Sequence, residues 1–424
     1  MLTLLLALNG NIKPPQELYN YLVKPDSSFE SSVATREEHG LTLRMTSQTW
    51  HGVKWRHSLI LRQPVESSIR GTCILYITGD GPRDGDFRDI SLMSAATGMP
   101  IAMLFDIPNQ PIWGMREDDL IAHTFEEYLR TNDPTWPLLF PMTKSALRAM
   151  DAVQEATKGT ANPIRRFVVT GASKRGWTTW LVGAAKDRRV IGIAPMVYDN
   201  LNVAPQMEHQ IKSWGAYSEM IQDYTRRGLQ QKLETPKGRH LAAIVDPYSY
   251  LPNIRIPTLV VKGTNDPYWT ADATSLYWRR LRQPHWLLSV PNVGHDLGGG
   301  VLAAATIGAF ARSLAGEFAM PRVEAHIDDK VDASGLLHWR ARVTRARGAT
   351  LTEARLWVAA SDTLDFRKSK YQRLDAIPVN ETGAEINGAK APPPGNLALF
   401  VEMRYKAKGR TFSLSTPTQI IKRS

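Results

Sequence analysis

One cysteine, Cys73, occurs in 424 residues, so no intrachain disulfide forms and no cysteine-based metal site is possible. It sits in the apolar run Thr72–Ile77, where a buried structural thiol is expected rather than a reactive one. No stretch has the length and purity of a transmembrane helix, and no membrane span is expected. The apolar start, Met1–Leu8, is short and lacks both a basic leader and a clear small-residue cleavage site. It reads as a clipped signal peptide or as an ordinary first helix. Basic blocks are also missing. The net charge is +11, but Lys and Arg are scattered along the chain, which points to a solvated basic surface and away from a nucleic-acid partner. There is no Walker loop, no Gly-x-Gly-x-x-Gly after a strand and no His-Glu-x-x-His, so no metal or organic cofactor is expected. Internal repeats and long low-complexity tracts are absent. With 43% hydrophobic and 22% charged residues, the composition excludes extensive disorder.

What is present is an alternation of short apolar runs with amphipathic segments. Residues 55–61 alternate as an early strand would. Residues 72–78, 100–106, 166–170, 190–197, 257–263 and 285–290 read as strands buried on both faces. Helices are expected over 118–130, 143–156, 177–185, 272–281 and 301–313. The Gly- and Asp-rich segment 79–86 reads as a loop. Such an order implies a mostly parallel sheet with helices on both faces. Composition changes near Met320-Pro321. Beyond it, Leu397, Leu399, Val401, Met403 and Tyr405 alternate with Glu402 and Arg404, as in a small β-sandwich. The expected organisation is an N-terminal segment (1–50) packing on a catalytic domain (51–319), followed by a β-sandwich (320–424).

A serine hydroxyl becomes a nucleophile only beside a base and with donors for the developing oxyanion. Strand 166–170 feeds Gly171-Ala172-Ser173, and a helix follows, which is the setting of a nucleophile elbow. The spacing departs from Gly-x-Ser-x-Gly, because Arg175 stands where the second glycine is usual and Gly176 comes one place later. Asp266 follows the strand 257–263 and lies 93 residues beyond Ser173. His295 follows the strand 285–290, a further 29 residues on. Order and placement make Ser173 the nucleophile, His295 the base and Asp266 the acid. Asp272 and Asp296 are weaker alternatives for the acid. The Lys174 N–H should donate to the oxyanion, with a second donor from Gly79 or Asp80. The Lys174 side chain either places its charge near that oxyanion or is an ordinary surface lysine.

The run Gly171-Ala172-Ser173-Lys174-Arg175-Gly176-Trp177-Thr178-Thr179-Trp180 resembles the signature of the PhoPQ-activated pathogenicity-related protein family. Ile107-Pro108-Asn109-Gln110-Pro111, Glu117-Asp118-Asp119-Leu120, Gly263-Thr264-Asn265-Asp266-Pro267-Tyr268-Trp269 and Asn292-Val293-Gly294-His295-Asp296 carry the same likeness. It implies an α/β-hydrolase fold with Ser173, Asp266 and His295 as the catalytic residues, in a bacterial, exported (periplasmic or secreted) protein. In this fold the region after a core strand often carries a cap, here about residues 199–250. Trp214, Tyr217 and Tyr224, with Trp177 beside the nucleophile, are candidates to line its pocket, although aromatics at such spacing also serve as core. The expected reaction is hydrolysis of a small-molecule ester or a peptide through an acyl-enzyme. The rival expectation is a non-catalytic binding or signalling protein on the same scaffold. Asp80, Asp84, Asp86 and Glu117 are read as solvated loop charges, with reception of a cationic peptide end as the alternative.

Overall fold

The computed structural model describes residues 13–65, 69–343, 346–378 and 385–422; the apolar start, Met1–Leu8, lies outside them. The chain opens with α1 (Glu17–Val23) and an antiparallel meander of β1 (Glu30–Glu37), β2 (Gly40–Trp50) and β3 (Val53–Arg62). Residue 50 therefore closes the first arm of the β2–β3 hairpin. Strands and helices then alternate as β4 (Thr72–Ile77), α2 (Asp84–Thr97), β5 (Ile101–Leu104), α3 (Glu117–Thr131) and α4 (Leu139–Thr157). They continue as β6 (Arg166–Ala172), α5 (Lys174–Ala184) and β7 (Val190–Met196). A helical insertion follows, made of α6 (Val203–Trp214), α7 (Gln222–Thr225), α8 (Leu229–Lys232) and α9 (Pro236–Val245). The chain returns to the sheet with β8 (Thr258–Gly263) and β9 (His285–Val290), then α10 (Val301–Leu314).

The strand order is β1-β2-β3-β5-β4-β6-β7-β8-β9. From β5 to β9 every pairing is parallel, and β3 joins β5 antiparallel. All six residues of β8 are buried, because a parallel strand is covered on both faces and is mostly apolar; its one charge, Lys262, is paired with Asp199. One face packs on α4 and α5 through Ala146, Met150, Trp180 and Leu181. The other packs on α2 and α10 through Ile90, Ile307 and Phe310. This is the α/β-hydrolase fold, and its ligand sites form at the C-terminal ends of the parallel strands.

After α10 come β10 (Val323–Ile327), β11 (Leu337–Val343), β12 (Ala349–Ser361), β13 (Gln372–Pro378), β14 (Glu385–Lys390), β15 (Asn396–Ala407), β16 (Arg410–Ser415) and β17 (Gln419–Ile421). β10, β11 and β14 form a small separate sheet. Four of the others run β16-β15-β12-β13, β17 pairs with β15, and one pair, Ser415 with Leu287, links β16 to β9. Leu337, Trp339, Leu356, Leu399 and Val401 share a core with Leu259 and Phe310 of the hydrolase part.

Three local expectations need correction. Residues 272–281 form two single 3-10 turns, Ala273–Leu276 and Trp278–Arg280, in place of one helix. Side chains pin this segment: His209 takes Asp272 at 2.7 Å, and the Thr274 hydroxyl donates to Asp199 at 2.6 Å. The Gly/Asp-rich loop gives way at Asp84 to the helix α2, where the Arg83 N–H donates to Asp86 at 2.6 Å and the acidic first turn suits the helix dipole. Finally, β15 is buried on both faces over residues 397–403. Glu402, expected outside, is buried and accepts from Ser413 and Trp357 at 2.6 and 2.8 Å.

Candidate active site

Ser173 closes β6 and heads α5 with φ 59° and ψ −126°, a backbone conformation that costs a non-glycine residue about 1–3 kcal/mol. Its neighbours have no room for side chains. A Cβ on Gly171 would lie 2.7 Å from the Arg175 carbonyl oxygen, and one on Gly176 would lie 2.6 Å from that of Met196. Gly176 is thus the glycine that lets α5 approach β7, which accounts for the shifted spacing. Arg175 is accommodated because its side chain leaves the elbow and runs across Gly79, where a Cβ would meet its Nη2 at 2.8 Å. It donates to the Ile107 carbonyl at 2.5 Å and to both oxygens of Glu117 at 2.7 and 2.9 Å.

Asp266 lies just beyond β8 and His295 just beyond β9. Their loops touch closely: a Cβ on Gly263 would lie 2.3 Å from the Gly294 carbonyl oxygen. His295 Nδ1 is 2.8 Å from Asp266 Oδ2, and the Tyr268 N–H donates to Asp266 Oδ1 at 2.9 Å. An ionised carboxylate can only accept, so the imidazole proton sits on Nδ1 and Nε2 is left with its lone pair. Nε2 is buried and has no hydrogen-bond partner among the described residues. The Tyr268 ring lies 4.2 Å from the His295 ring, centroid to centroid. Burial, with the nearby carboxylates, pushes the Tyr268 phenol up to about 12. The two alternative acids are committed elsewhere, Asp272 to His209 and Asp296 to the Gly298 N–H at 3.2 Å.

The expectation of a surface Lys174 is wrong. The side chain is buried, and Nζ lies 2.7 Å from Glu117 and 2.9 Å from Asp118. Nor is Glu117 a solvated charge. Burial pushes its carboxyl up, but the hydrogen bonds and charges of Arg175 and Lys174 outweigh burial and hold it down at about 2. Asp80 is likewise engaged, by Arg116 and by Gln110 at 2.9 Å. Their partners lie tens of residues away in sequence, so no local pattern reveals the pairing.

A cleft opens beside Ser173 under the helical insertion. Ser173, Lys174, Trp177, Tyr224 and Tyr268 line it, whereas Gly79, Asp80, Trp214 and Tyr217 do not. Trp177 stacks on Tyr198 at 5.0 Å and donates to the Val245 carbonyl at 2.6 Å. Tyr224 donates to Asp118 at 2.9 Å. Trp214 instead stacks under the Arg367 guanidinium at 4.1 Å, facing the C-terminal strands. Lys174 opens α5, whose first N–H groups have no intrahelical acceptor. Sequence reasoning passed over Tyr198, Asn200, Leu229, Gln230 and Asp246, which also line the cleft. Only the position of 199–250 as an insertion pointed to the last four.

The C-terminal part reaches the site through one loop. The Asn265 carboxamide, next to Asp266, donates to the carbonyls of Phe366, Arg367 and Ser369 at 3.2, 3.1 and 2.7 Å. Asn292 exchanges two hydrogen bonds with the backbone of Tyr371, at 2.9 and 2.7 Å.

The chain is similar to several known proteins. Autocrine proliferation repressor protein A of Dictyostelium discoideum is 35% identical over 324 residues, which are 70% of this chain and 65% of that protein. The chain thus spans just under two thirds of the length of that relative. Among solved structures, acetyl xylan esterase 1 of Thermoanaerobacterium sp. JW/SL YS485 is similar at 16% identity and TM-score 0.49, covering 72% of this chain and 96% of that one. An acylaminoacyl peptidase of Pyrococcus horikoshii is similar at 12% identity and TM-score 0.42, covering 68% of this chain and 42% of that one. The model of one family matches residues 18–367, a span that holds the elbow, the acid, the histidine and the insertion. The chain belongs to the PhoPQ-activated pathogenicity-related protein family.

Proposed function

We propose that the protein is a serine hydrolase that cleaves an ester or amide through an acyl-enzyme. The observation that carries this reading is the 2.8 Å bond from His295 Nδ1 to the buried Asp266, which leaves Nε2 as a free base in a site whose serine stands on a strained elbow. His295 Nε2 takes the Ser173 proton as Oγ bonds to the substrate carbonyl carbon, and Asp266 stabilises the imidazolium. The oxyanion accepts from the Lys174 N–H, favoured by the α5 N-terminus. Collapse of the tetrahedral adduct expels the leaving group, which receives the proton from His295. Water, deprotonated by the same nitrogen, then releases the acid. The gap at Nε2 fits this sequence, since catalytic hydrogen bonds often tighten only when substrate binds.

The test is labelling of the folded protein with a fluorophosphonate. Wild type is expected to label, Ser173→Ala not at all, and His295→Ala far more slowly. A folded wild type that stays unlabelled would overturn the reading. It would favour a signalling protein on a hydrolase scaffold, for which the name of the Dictyostelium relative speaks. A second expectation follows from Gly263. The added methyl of Gly263→Ala must displace the Val293–Gly294 backbone, and with it His295. A misplacement of about 1 Å slows such chemistry on the order of a hundredfold. The rate of labelling, with circular dichroism to show an intact fold, checks it.

A further inference from the structure

The cleft beside Ser173 is lined mostly by apolar side chains, among them Phe125, Leu229, Leu241 and Trp269. Its charged groups are already engaged. Asp118 is held by Lys174 and Tyr224. Asp246 accepts from the N–H groups of Val203 and Tyr248 at 2.8 and 2.9 Å. Lys232 lies 3.5 Å from Glu126. Two acceptors are different. Asn200 Oδ1 and Gln230 Oε1 are buried and have no partner among the described residues. Both residues are more than nine-tenths buried, at 8% and 9% exposure, and both line this cleft. They stand on different segments, Asn200 just after β7 and Gln230 on α8 of the insertion.

Native proteins seldom bury an acceptor without a donor, because its lost hydration goes uncompensated. An apolar cleft with two such acceptors is complementary to a ligand that is mainly hydrocarbon but carries a few hydrogen-bond donors. A simple alkyl chain supplies none. A sugar carries a hydroxyl on most of its carbons, more polar groups than these two acceptors can satisfy. An amino-acid residue with an apolar side chain and its amide N–H groups supplies the match. We infer that the cleft selects a peptidyl or N-acyl-aminoacyl substrate with an apolar residue at the acyl position, the N–H groups being accepted by Asn200 and Gln230. This inference rests on the serine-hydrolase reading and narrows its substrate class.

The experiment compares two para-nitrophenyl esters. One is that of N-acetyl-alanyl-leucine. The other is the isocaproate, which keeps the leucine side chain and has no N–H. Wild type is expected to favour the peptidyl ester in kcat/KM by at least about tenfold, the order expected from one or two hydrogen bonds that the isocaproate cannot make. Gln230→Met keeps length and burial but removes the acceptor. It is expected to lower the ratio between the two esters by about tenfold, and Asn200→Leu is expected to lower the same ratio. A fluorophosphonate-labelled wild type with a ratio near one overturns the inference and makes water the donor to both acceptors. An unchanged ratio in both variants, each still labelled, also overturns it. Absence of labelling in wild type overturns the hydrolase reading itself and this inference with it, so the two failures are separable.

Discussion

Asp266→Asn is expected to lower kcat by about four orders of magnitude while leaving the fold and KM nearly unchanged. The asparagine oxygen can still accept from the Tyr268 N–H, as Asp266 Oδ1 does at 2.9 Å. Its amide nitrogen then faces His295 Nδ1, where Oδ2 now lies at 2.8 Å. An amide donates where a carboxylate accepts, so the imidazole must turn its lone pair to Nδ1 and carry its proton on Nε2. The base that should deprotonate Ser173 becomes a donor. Neither Asp272 nor Asp296 can substitute, because the first is bound to His209 and the second to the Gly298 N–H. Steady-state hydrolysis of an activated ester checks the rate, and thermal unfolding checks the fold. Retention of activity within tenfold would remove Asp266 from the mechanism.

The largest stability change is expected at Lys262→Met. Lys262 Nζ lies 2.7 Å from Asp199, with side chains 5% and 1% exposed. Asp199 also accepts from Thr274 and Tyr277 at 2.6 and 2.7 Å. Removing the cation strands a carboxylate in the core, and breaking such a pair costs about 3–5 kcal/mol. Adding Asp199→Asn should recover most of that loss, because a neutral amide oxygen still accepts from the two hydroxyls without an unpaired charge. Urea unfolding of the single and double variants measures both steps. A single variant within 1 kcal/mol of wild type, on the order of ordinary surface substitutions, would show that the pair contributes little.

The parts of this fold that repeat a local rule were legible. Strands buried on both faces are mostly apolar, so β4, β6, β8 and β9 stood out as short runs. Side chains just past the C-terminal ends of parallel strands meet on one side of the sheet, and Ser173, Asp266 and His295 each follow such an end. What escaped depends on contacts between distant segments. Nothing near Lys174 shows that Glu117 and Asp118 will bury it. Trp214 has the look of a pocket aromatic, yet its partner is Arg367, more than 150 residues away. α2 was hidden by the Asp84-Gly85-Asp86 run that begins it. The short helices of the insertion carry Tyr224 and Gln230 into the cleft through tertiary packing that their own length could not sustain.

The loop of residues 366–371 gives this protein an order of assembly. During synthesis the elbow emerges early, and the acid and the histidine follow some hundred residues later. The backbone that Asn265 and Asn292 grip emerges only 79 to 104 residues after the asparagine that holds it, between β12 and β13. A nascent chain that has exposed Ser173 therefore lacks the brace on the loops of Asp266 and His295. The loops of Asp266 and His295 are braced last, after most of the polypeptide has left the ribosome, so a translation product that stops short of the C-terminal strands lacks the contacts of Asn265 and Asn292.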